Sequence, residues 1–303
     1  MSRLAPVALF AYKRPDHLAR TVSSLLANPE AAQTDLFVFC DEARHPSERV
    51  AVGAVRAMVS AMRGFQSITV CLRDENLGLA GSIISGVTEV LRQRDRVVVI
   101  EDDLVLSPRF LRFMNDGLDC YSDEPRVASI HGYCYPVRGT LPETFFMRGA
   151  DCWGWATWRR AWTGFRHDGA ALLRELSVQN LLREFDLDGA AGFARMLRDQ
   201  VAGRNDSWAI RWHASCFLAG QLTLYPGTSL VENVGNDASG THGVTSTYFA
   251  GPTRGDRVEV RRIPLEASEA AREEFIRFFR SRRRSLGETF RWAVRRVFGS
   301  VVS

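Results

Sequence analysis

Lysine is nearly missing from this 303-residue chain: Lys13 stands alone, and arginine carries the rest of the positive charge. Such arginine bias fits a GC-rich bacterial genome. No apolar run approaches the roughly 20 residues that a membrane-spanning helix needs. The opening MSRLAPVALFAYKRP has too short an apolar stretch, and no small-residue cleavage site, for a secretory leader. Six cysteines (Cys40, Cys71, Cys120, Cys134, Cys152 and Cys216) form no CxxC pair and no regular spacing. That pattern fits a reduced cytoplasm, where a cysteine in an apolar run acts as a small hydrophobe. The first apolar run ends in Ala11-Tyr12-Lys13-Arg14-Pro15 without a glycine, so the GxGxxG fingerprint of dinucleotide binding is excluded. Net charge is only +4, and no basic stripe crosses the main part of the chain, so nucleic acid is not an expected partner.

What the chain does have is an ordinary globular share of hydrophobic residues, 46%, laid out as alternating strands and helices. PVALFAY (6–12), DLFVFC (35–40), SITVCL (67–72) and RVVVI (96–100) read as strands. Amphipathic stretches separate them. One starts at Pro15 and Asp16 with Leu18, Val22, Leu25 and Leu26 apolar; others cover about 47–62 and 79–91. RVVVI shows no polar alternation, as a strand buried on both faces requires. The pattern predicts an α/β fold with a mostly parallel sheet flanked by helices. Beyond residue 104 it turns irregular: a helix at about 107–121, a strand near 126–131, a helical, aromatic-rich stretch over 151–220, then strands and loops over 221–262.

Glu101-Asp102-Asp103 follow RVVVI directly. Successive carboxylates at the carboxyl end of a buried strand repel one another and are costly to desolvate. That edge of an open α/β sheet is also where ligands bind. A hard cation, Mg2+ or Mn2+, would relieve the repulsion and bridge to a diphosphate; the plain alternative is a solvated acidic turn. Tyr12 and Arg14 offer an aromatic face for a base and a guanidinium for phosphate. The second strand ends in Asp41-Glu42 and the third runs into Arg73-Asp74-Glu75-Asn76-Leu77-Gly78, so polar residues end successive strands at one sheet edge. Gly78 and Gly81 open a helix whose N-terminus either faces an anion or simply shapes a turn. Trp153, Trp155, Trp158, Trp162, Trp208 and Trp212 crowd one window of the chain. The helical spacing of Trp155, Trp158 and Trp162 favours core packing, whereas Trp153 begins a loop where an indole can lie on a sugar ring.

In order, VALFAYKRP, FCDEARHPS, ENLGLAGSI, VVVIEDDLVLSP, GADCWGWATW, and NDSWAIRW with YPGTSLVENVGNDASGTHG resemble bacterial family-2-like GT-A glycosyltransferases. Those are similar in organisation to eukaryotic N-acetylglucosaminyltransferase I, and the resemblance covers about residues 6–245. It implies a GT-A domain over 1–265, with a nucleotide-sugar-binding half (1–103) and an acceptor-binding half (104–265). It further implies inverting transfer of a hexosyl or N-acetylhexosaminyl unit from a nucleotide sugar, UDP-linked by preference, to a glycan or lipid-linked glycan, with Mn2+ or Mg2+ as cofactor. By position, Arg14 and Asp41 would meet the nucleoside with Tyr12 nearby, Arg73, Asn76 and Gly78 would line the donor cleft, and Glu101 and Asp102 would touch ribose or sugar. Trp153 and Trp155 stand as further donor-site candidates. Asp103 would bind the metal and His242, in THG, would complete its shell. The catalytic base is expected at Asp206 or, in reserve, Asp151; Asp206 also suits the N-cap of a helix over 207–219. Relatives often carry an acidic residue where this chain has Ala209. That departure leaves open a non-catalytic nucleotide- or sugar-binding module on a decayed transferase scaffold. A nucleotidyltransferase would need a glycine-rich, basic phosphate loop after the first strand, and AYKRP is not one.

The tail over 266–303 differs in character. Phe275, Phe278 and Phe279, then Leu286, Phe290, Val294 and Val297, recur at helical spacing, and nine arginines lie between 272 and 296. A basic amphipathic helix of this kind lies on an anionic membrane, here at the inner face, docks onto its own domain, or makes a dimer contact.

Overall fold

The structure, a computed structural model, describes residues 4–235 and 257–281. β1 (Val7–Ala11) leads into α1 (Pro15–Leu26), whose Pro15 takes a first-turn position where a missing N–H costs nothing. β2 (Asp35–Cys40), α2 (Arg49–Ala61), β3 (Ser67–Leu72), α3 (Gly78–Gln93) and β4 (Arg96–Glu101) follow. These strands pair in parallel in the order β3-β2-β1-β4. Ala11 lies opposite Cys40 and Phe10 opposite Glu101. Continuing that register, Ala11 stands level with Asp102, and Tyr12 stands level with Asp41 and Asp103 at the carboxyl edge.

The second half adds β5 (Leu104–Leu106), α4 (Phe110–Cys120), β6 (Val127–His131), β7 (Thr144–Arg148), β8 (Trp155–Trp158) and α5 (Arg159–Trp162). It continues through α6 (Gly169–Val178), α7 (Leu182–Phe185), α8 (Phe193–Val201), α9 (Trp208–Leu218), β9 (Leu222–Pro226) and β10 (Val231–Asn233). The result is one eight-stranded sheet, β3-β2-β1-β4-β8-β6-β9-β7, and a separate β5–β10 ribbon. Only β8 and β7 run against their neighbours. This is the mostly parallel, helix-flanked α/β sheet that the strand–helix pattern predicts.

Alternate residues of the central strands feed two cores. Val7, Leu9, Leu36, Val38, Val98 and Ile100 pack under α1, α2 and α4, and Ala8, Phe10, Phe37, Phe39, Val97 and Val99 under α3, α5 and α9. Each buried Val, Leu or Phe contributes about 1.5–3 kcal/mol. The tryptophan spacing that reads as helical is corrected here: Trp155 and Trp158 lie on β8, and only Trp162 is on α5. An offset of three along a strand sends side chains to opposite faces, so Trp155 joins one core and Trp158 the other.

Residues 269–281 are helical, and Phe275, Phe278 and Phe279 are buried against the domain. Phe275 and Phe279 meet the Tyr135 ring at 4.8 and 4.9 Å, and Arg272 pairs with Asp188 at 2.9 Å. These phenylalanines thus take the docked alternative and have no face for a membrane. Residues 282–303 and His242 lie outside the described residues. No described helix is long and apolar enough to cross a membrane.

Candidate active site

β4 delivers Glu101 to the carboxyl edge, and the turn into β5 delivers Asp102 and Asp103. Asp102 is only 3% exposed. Its Oδ2 accepts the Tyr12 N–H at 3.3 Å, its backbone carbonyl accepts the Thr21 hydroxyl at 2.8 Å, and its Oδ1 pairs with Arg14. The same Arg14 nitrogen reaches Asp103 Oδ2 at 2.8 Å, so one guanidinium clamps two neighbouring carboxylates. Asp102 therefore organises the β1 end of the site; with so little surface it is poorly placed to touch a ribose or sugar. The Val234 N–H donates to the Asp103 carbonyl at 2.9 Å. Gly235 comes so close that a Cβ there would strike both the Asp103 carboxylate and Arg14. Burial, then the charges of Asp103 and Asp102, push the Glu101 carboxyl well above the usual range, with Arg14 opposing.

Asp41 closes β2 and is 5% exposed. Burial raises its carboxyl, while Ser82 and the Leu77 and Gly78 N–H groups at the start of α3 favour the anion. Its Oδ1 is buried without a partner. The Tyr12 hydroxyl donates to Glu48 at 2.5 Å and accepts the Arg44 N–H at 2.9 Å, and Lys13 joins Glu48 at 2.6 Å. Lys13 and then Tyr12 hold the Glu48 carboxyl down at about 2. Asn76 bridges the next two loops: its amide donates to the Glu42 carbonyl at 2.8 Å and its oxygen accepts the Gly78 N–H at 3.1 Å. Glu48 and Arg44 carry no local sequence signal, because charged residues in a loop read as solvated.

The loop 149–154 joins β7 to β8. Gly149 sits at φ 94°, and a Cβ on it would strike the His213 ring. Its N–H donates to the Gln221 carbonyl at 2.9 Å, and its own carbonyl accepts the Thr223 hydroxyl at 2.7 Å. His213 Nδ1 lies 2.7 Å from the Ala150 carbonyl, to which its N–H can donate, and 3.1 Å from the Ala150 N–H; the Trp153 N–H donates to His131 Nε2 at 3.1 Å. Burial lowers both imidazoles. Between these pins stands half-buried Asp151, whose Oδ2 accepts the Tyr135 hydroxyl and whose Oδ1 accepts the Cys152 N–H, both at 2.9 Å. Burial raises the Cys152 thiol, followed by the charges of Asp151, Glu101 and Asp103. One thiol thus feels the carboxylate of this loop and those of β4 together.

Several expected site residues lie elsewhere. Arg73 turns back to Glu89 at 3.2 Å and lies over the Phe39 ring, in a groove of about 510 Å³ lined by none of the acidic residues ending β4. Trp155 is a second correction: it is buried against Trp208 at 5.4 Å and Trp162 at 5.8 Å, so no face is left for a donor. Trp153 is half-buried, edge-on to Tyr133 at 4.8 Å. The N-cap of α9 is Ser207, whose hydroxyl accepts the Ile210 N–H at 3.2 Å, and not Asp206. The Asp206 side chain is 75% exposed and pairs with Arg211 at 2.9 Å. Ala209 packs half-buried into the α3-side core. Among the described residues, no three His, Cys, Asp or Glu side chains gather as a ready ligand set for a metal.

Neither a protein-family model nor a curated protein matches the chain. Solved structures that it resembles include the mannosyltransferase PcManGT from Pyrobaculum calidifontis in complex with GDP-Man and Mn2+, at 14% identity and a TM-score of 0.32 over 44% of this chain and 36% of that one. S. aureus TarS is similar at 16% identity and a TM-score of 0.30, over 48% of this chain and 24% of that one. The chain thus matches well under two thirds of either structure's length. Likeness of that degree leaves the function to be read from the site's own chemistry.

Proposed function

We propose that the chain is a glycosyltransferase that moves a sugar from a nucleoside-diphosphate donor to a hydroxyl of a glycan or lipid-linked glycan, with a divalent cation. The observation that carries this reading is the Arg14 clamp on Asp102 and Asp103 at the carboxyl edge of a parallel sheet, level with the unpartnered oxygen of Asp41. A divalent ion fits the donor set. The oxygens are hard carboxylates, and the Gly235 backbone lies where a Cβ would fill the space beside Asp103. A ready three-ligand cage is not required, because Mg2+-like ions take one or two carboxylates and complete their shell with substrate phosphates and water. Asp103, with Glu101 beside it, would hold the ion, which when bound would stabilise charge on the departing diphosphate.

The chain's own residues then divide the remaining work. Asp41, held by Ser82 and the Leu77 and Gly78 N–H groups, fixes the start of α3 beside the base, and the Tyr12 ring, fixed by its hydroxyl, borders it. Asp151 takes the proton of the acceptor hydroxyl as that oxygen attacks the anomeric carbon in line. Asp151 is preferred to Asp206 because it is half-buried and held by the Tyr135 hydroxyl and the Cys152 N–H, whereas Asp206 is exposed and faces Arg211. UDP as carrier, inversion, and a hexosyl or N-acetylhexosaminyl unit follow the sequence resemblance. A location at the inner membrane face would depend on the tail past residue 281.

Release of free nucleoside diphosphate from a panel of sugar donors, with and without Mn2+, tests the reading. Activity should depend on the ion and vanish in Asp103→Asn. Asp151→Asn should lose about 10²–10⁴-fold, and Asp206→Asn should stay within a few-fold of wild type. A wild-type chain that binds donors yet releases nothing is the non-catalytic module suggested by Ala209. An inactive Asp206→Asn beside an active Asp151→Asn would move the base to Asp206.

A further inference from the structure

The Arg14 guanidinium occupies the ground on which a divalent ion would sit. A single nitrogen of it contacts Asp102 Oδ1 and Asp103 Oδ2, the latter at 2.8 Å. The two carboxylates are not equivalent partners. Asp102 has the Tyr12 N–H on its other oxygen and the Thr21 hydroxyl on its carbonyl, so it stays fixed whether or not Arg14 is present. Asp103 is the more open of the pair, with its side chain 13% exposed against 4% for Asp102. Arg14 itself stands at the N-terminus of α1, makes no helix-capping bond through its side chain, and is 18% exposed. It is anchored at its base and partly exposed along its side chain.

We propose that Arg14 is the placeholder cation of the donor site: it neutralises Asp102 and Asp103 while no ion is bound, and moves onto the donor's diphosphate when a divalent ion takes Asp103. This rests on the reading of Asp103 as the ion's ligand given above. The physical reason is exclusion of like charges. An arginine and a divalent ion cannot share one carboxylate oxygen closely, and an arginine is always protonated, so only displacement relieves the conflict. A diphosphate supplies the displaced guanidinium with a better partner, since its oxygens match the planar fork. Ion and diphosphate are then linked through one side chain: whatever draws Arg14 off Asp103 strengthens ion binding, and the ion strengthens diphosphate binding by the same factor. The arrangement also keeps the acidic edge from holding an ion when no donor is present.

Mn2+ binding to the full chain, followed by electron paramagnetic resonance, tests this without any turnover. Wild-type protein, Arg14→Gln and Arg14→Lys are each titrated alone, with uridine or guanosine, and with UDP or GDP, correcting for nucleotide–ion complexes in solution. Arg14→Gln is expected to bind Mn2+ alone at least tenfold more tightly than wild type. UDP or GDP, but not the nucleosides, should tighten Mn2+ binding in wild type, and that gain should shrink several-fold in the variant. If Arg14→Gln does not fold, Arg14→Lys, whose ammonium ends one bond short of the guanidinium nitrogen that meets both carboxylates, should still bind the ion about threefold more tightly. Unchanged or weaker Mn2+ binding in a folded Arg14 variant overturns the placeholder role alone. Absence of Mn2+ binding in every sample, diphosphate included, removes the metal reading of Asp103 and this inference with it.

Discussion

Truncating Phe275 to alanine separates a docked C-terminal helix from a membrane-seeking one. Phe275 is 2% exposed and packs on Tyr135 at 4.8 Å, Phe145 at 5.9 Å and Tyr225 at 6.0 Å. Removing a buried phenylalanine costs about 3–5 kcal/mol through lost transfer energy and the cavity left behind. For a domain of this size each kcal/mol lowers the melting temperature by about 2–4 °C, so a fall of about 6–20 °C is expected. Differential scanning calorimetry measures it, and urea unfolding should show a lower midpoint at unchanged slope. Two of the rings in contact, Tyr135 and Tyr225, also present their hydroxyls to Asp151 at 2.9 and 3.5 Å. Donor turnover should therefore fall along with stability. Truncation after residue 265, which also removes Ile276, Phe278 and Phe279, should cost more than the point change. A truncated chain with the melting point of the full one would refute the docking argument, and liposome retention lost without any thermal shift would restore the membrane role for these phenylalanines.

Two further outcomes follow from the pinned loop. Burial depresses both His131 and His213 below the ordinary value of 6.5, so below that pH the unfolded chain takes up protons that the folded chain resists. Their contribution is fully present above 6.5 and is lost as pH falls through it toward the folded values; wild type should lose more thermal stability between pH 7.5 and 5.5 than His213→Asn, and parallel slopes would contradict this. Gly149→Ala combines a left-handed backbone with a Cβ driven into the His213 ring. It should abolish donor turnover and cost stability as well, read by calorimetry beside the diphosphate-release assay, and a fully active variant would show that the loop yields.

Much of the nucleotide half was legible because its signals are local. DLFVFC and SITVCL coincide with β2 and β3, and the polar residues after each strand do meet at one edge, since parallel pairing puts every carboxyl end on the same side. The second half resisted for a physical reason. Trp155, Trp158 and Trp162 satisfy a helical period, yet the antiparallel demand of β4 and β6 on both sides makes 155–158 a strand. Asp206 and Ser207 both suit an N-cap, and only the backbone geometry chooses Ser207. Arg73 follows its strand into the expected loop, but Glu89 and the Phe39 ring draw it to the flank of α3. The pins of the Asp151 loop come from His131, Tyr135, His213 and Tyr225, residues so far apart in sequence that no window contains them. A lone histidine in an apolar run carries no mark of the backbone amide that it will accept.

The charge balance of the edge gives the metal reading its strongest physical footing. Glu101, Asp102 and Asp103 close β4 and Asp41 closes β2, the two strands that flank β1, and Arg14 is clamped on Asp102 and Asp103. Lys13, the nearest alternative in sequence, is paired to Glu48. A diphosphate entering such a site alone would bring negative charge to negative charge, at about 4 kcal/mol for each unit pair 4 Å apart in a partly screened interior. Arg14 could answer either the protein's carboxylates or the ligand's phosphates, not both at full strength. On the proposed reading, a donor would bind better if it arrived with positive charge of its own, which a divalent ion held at Asp103 would supply.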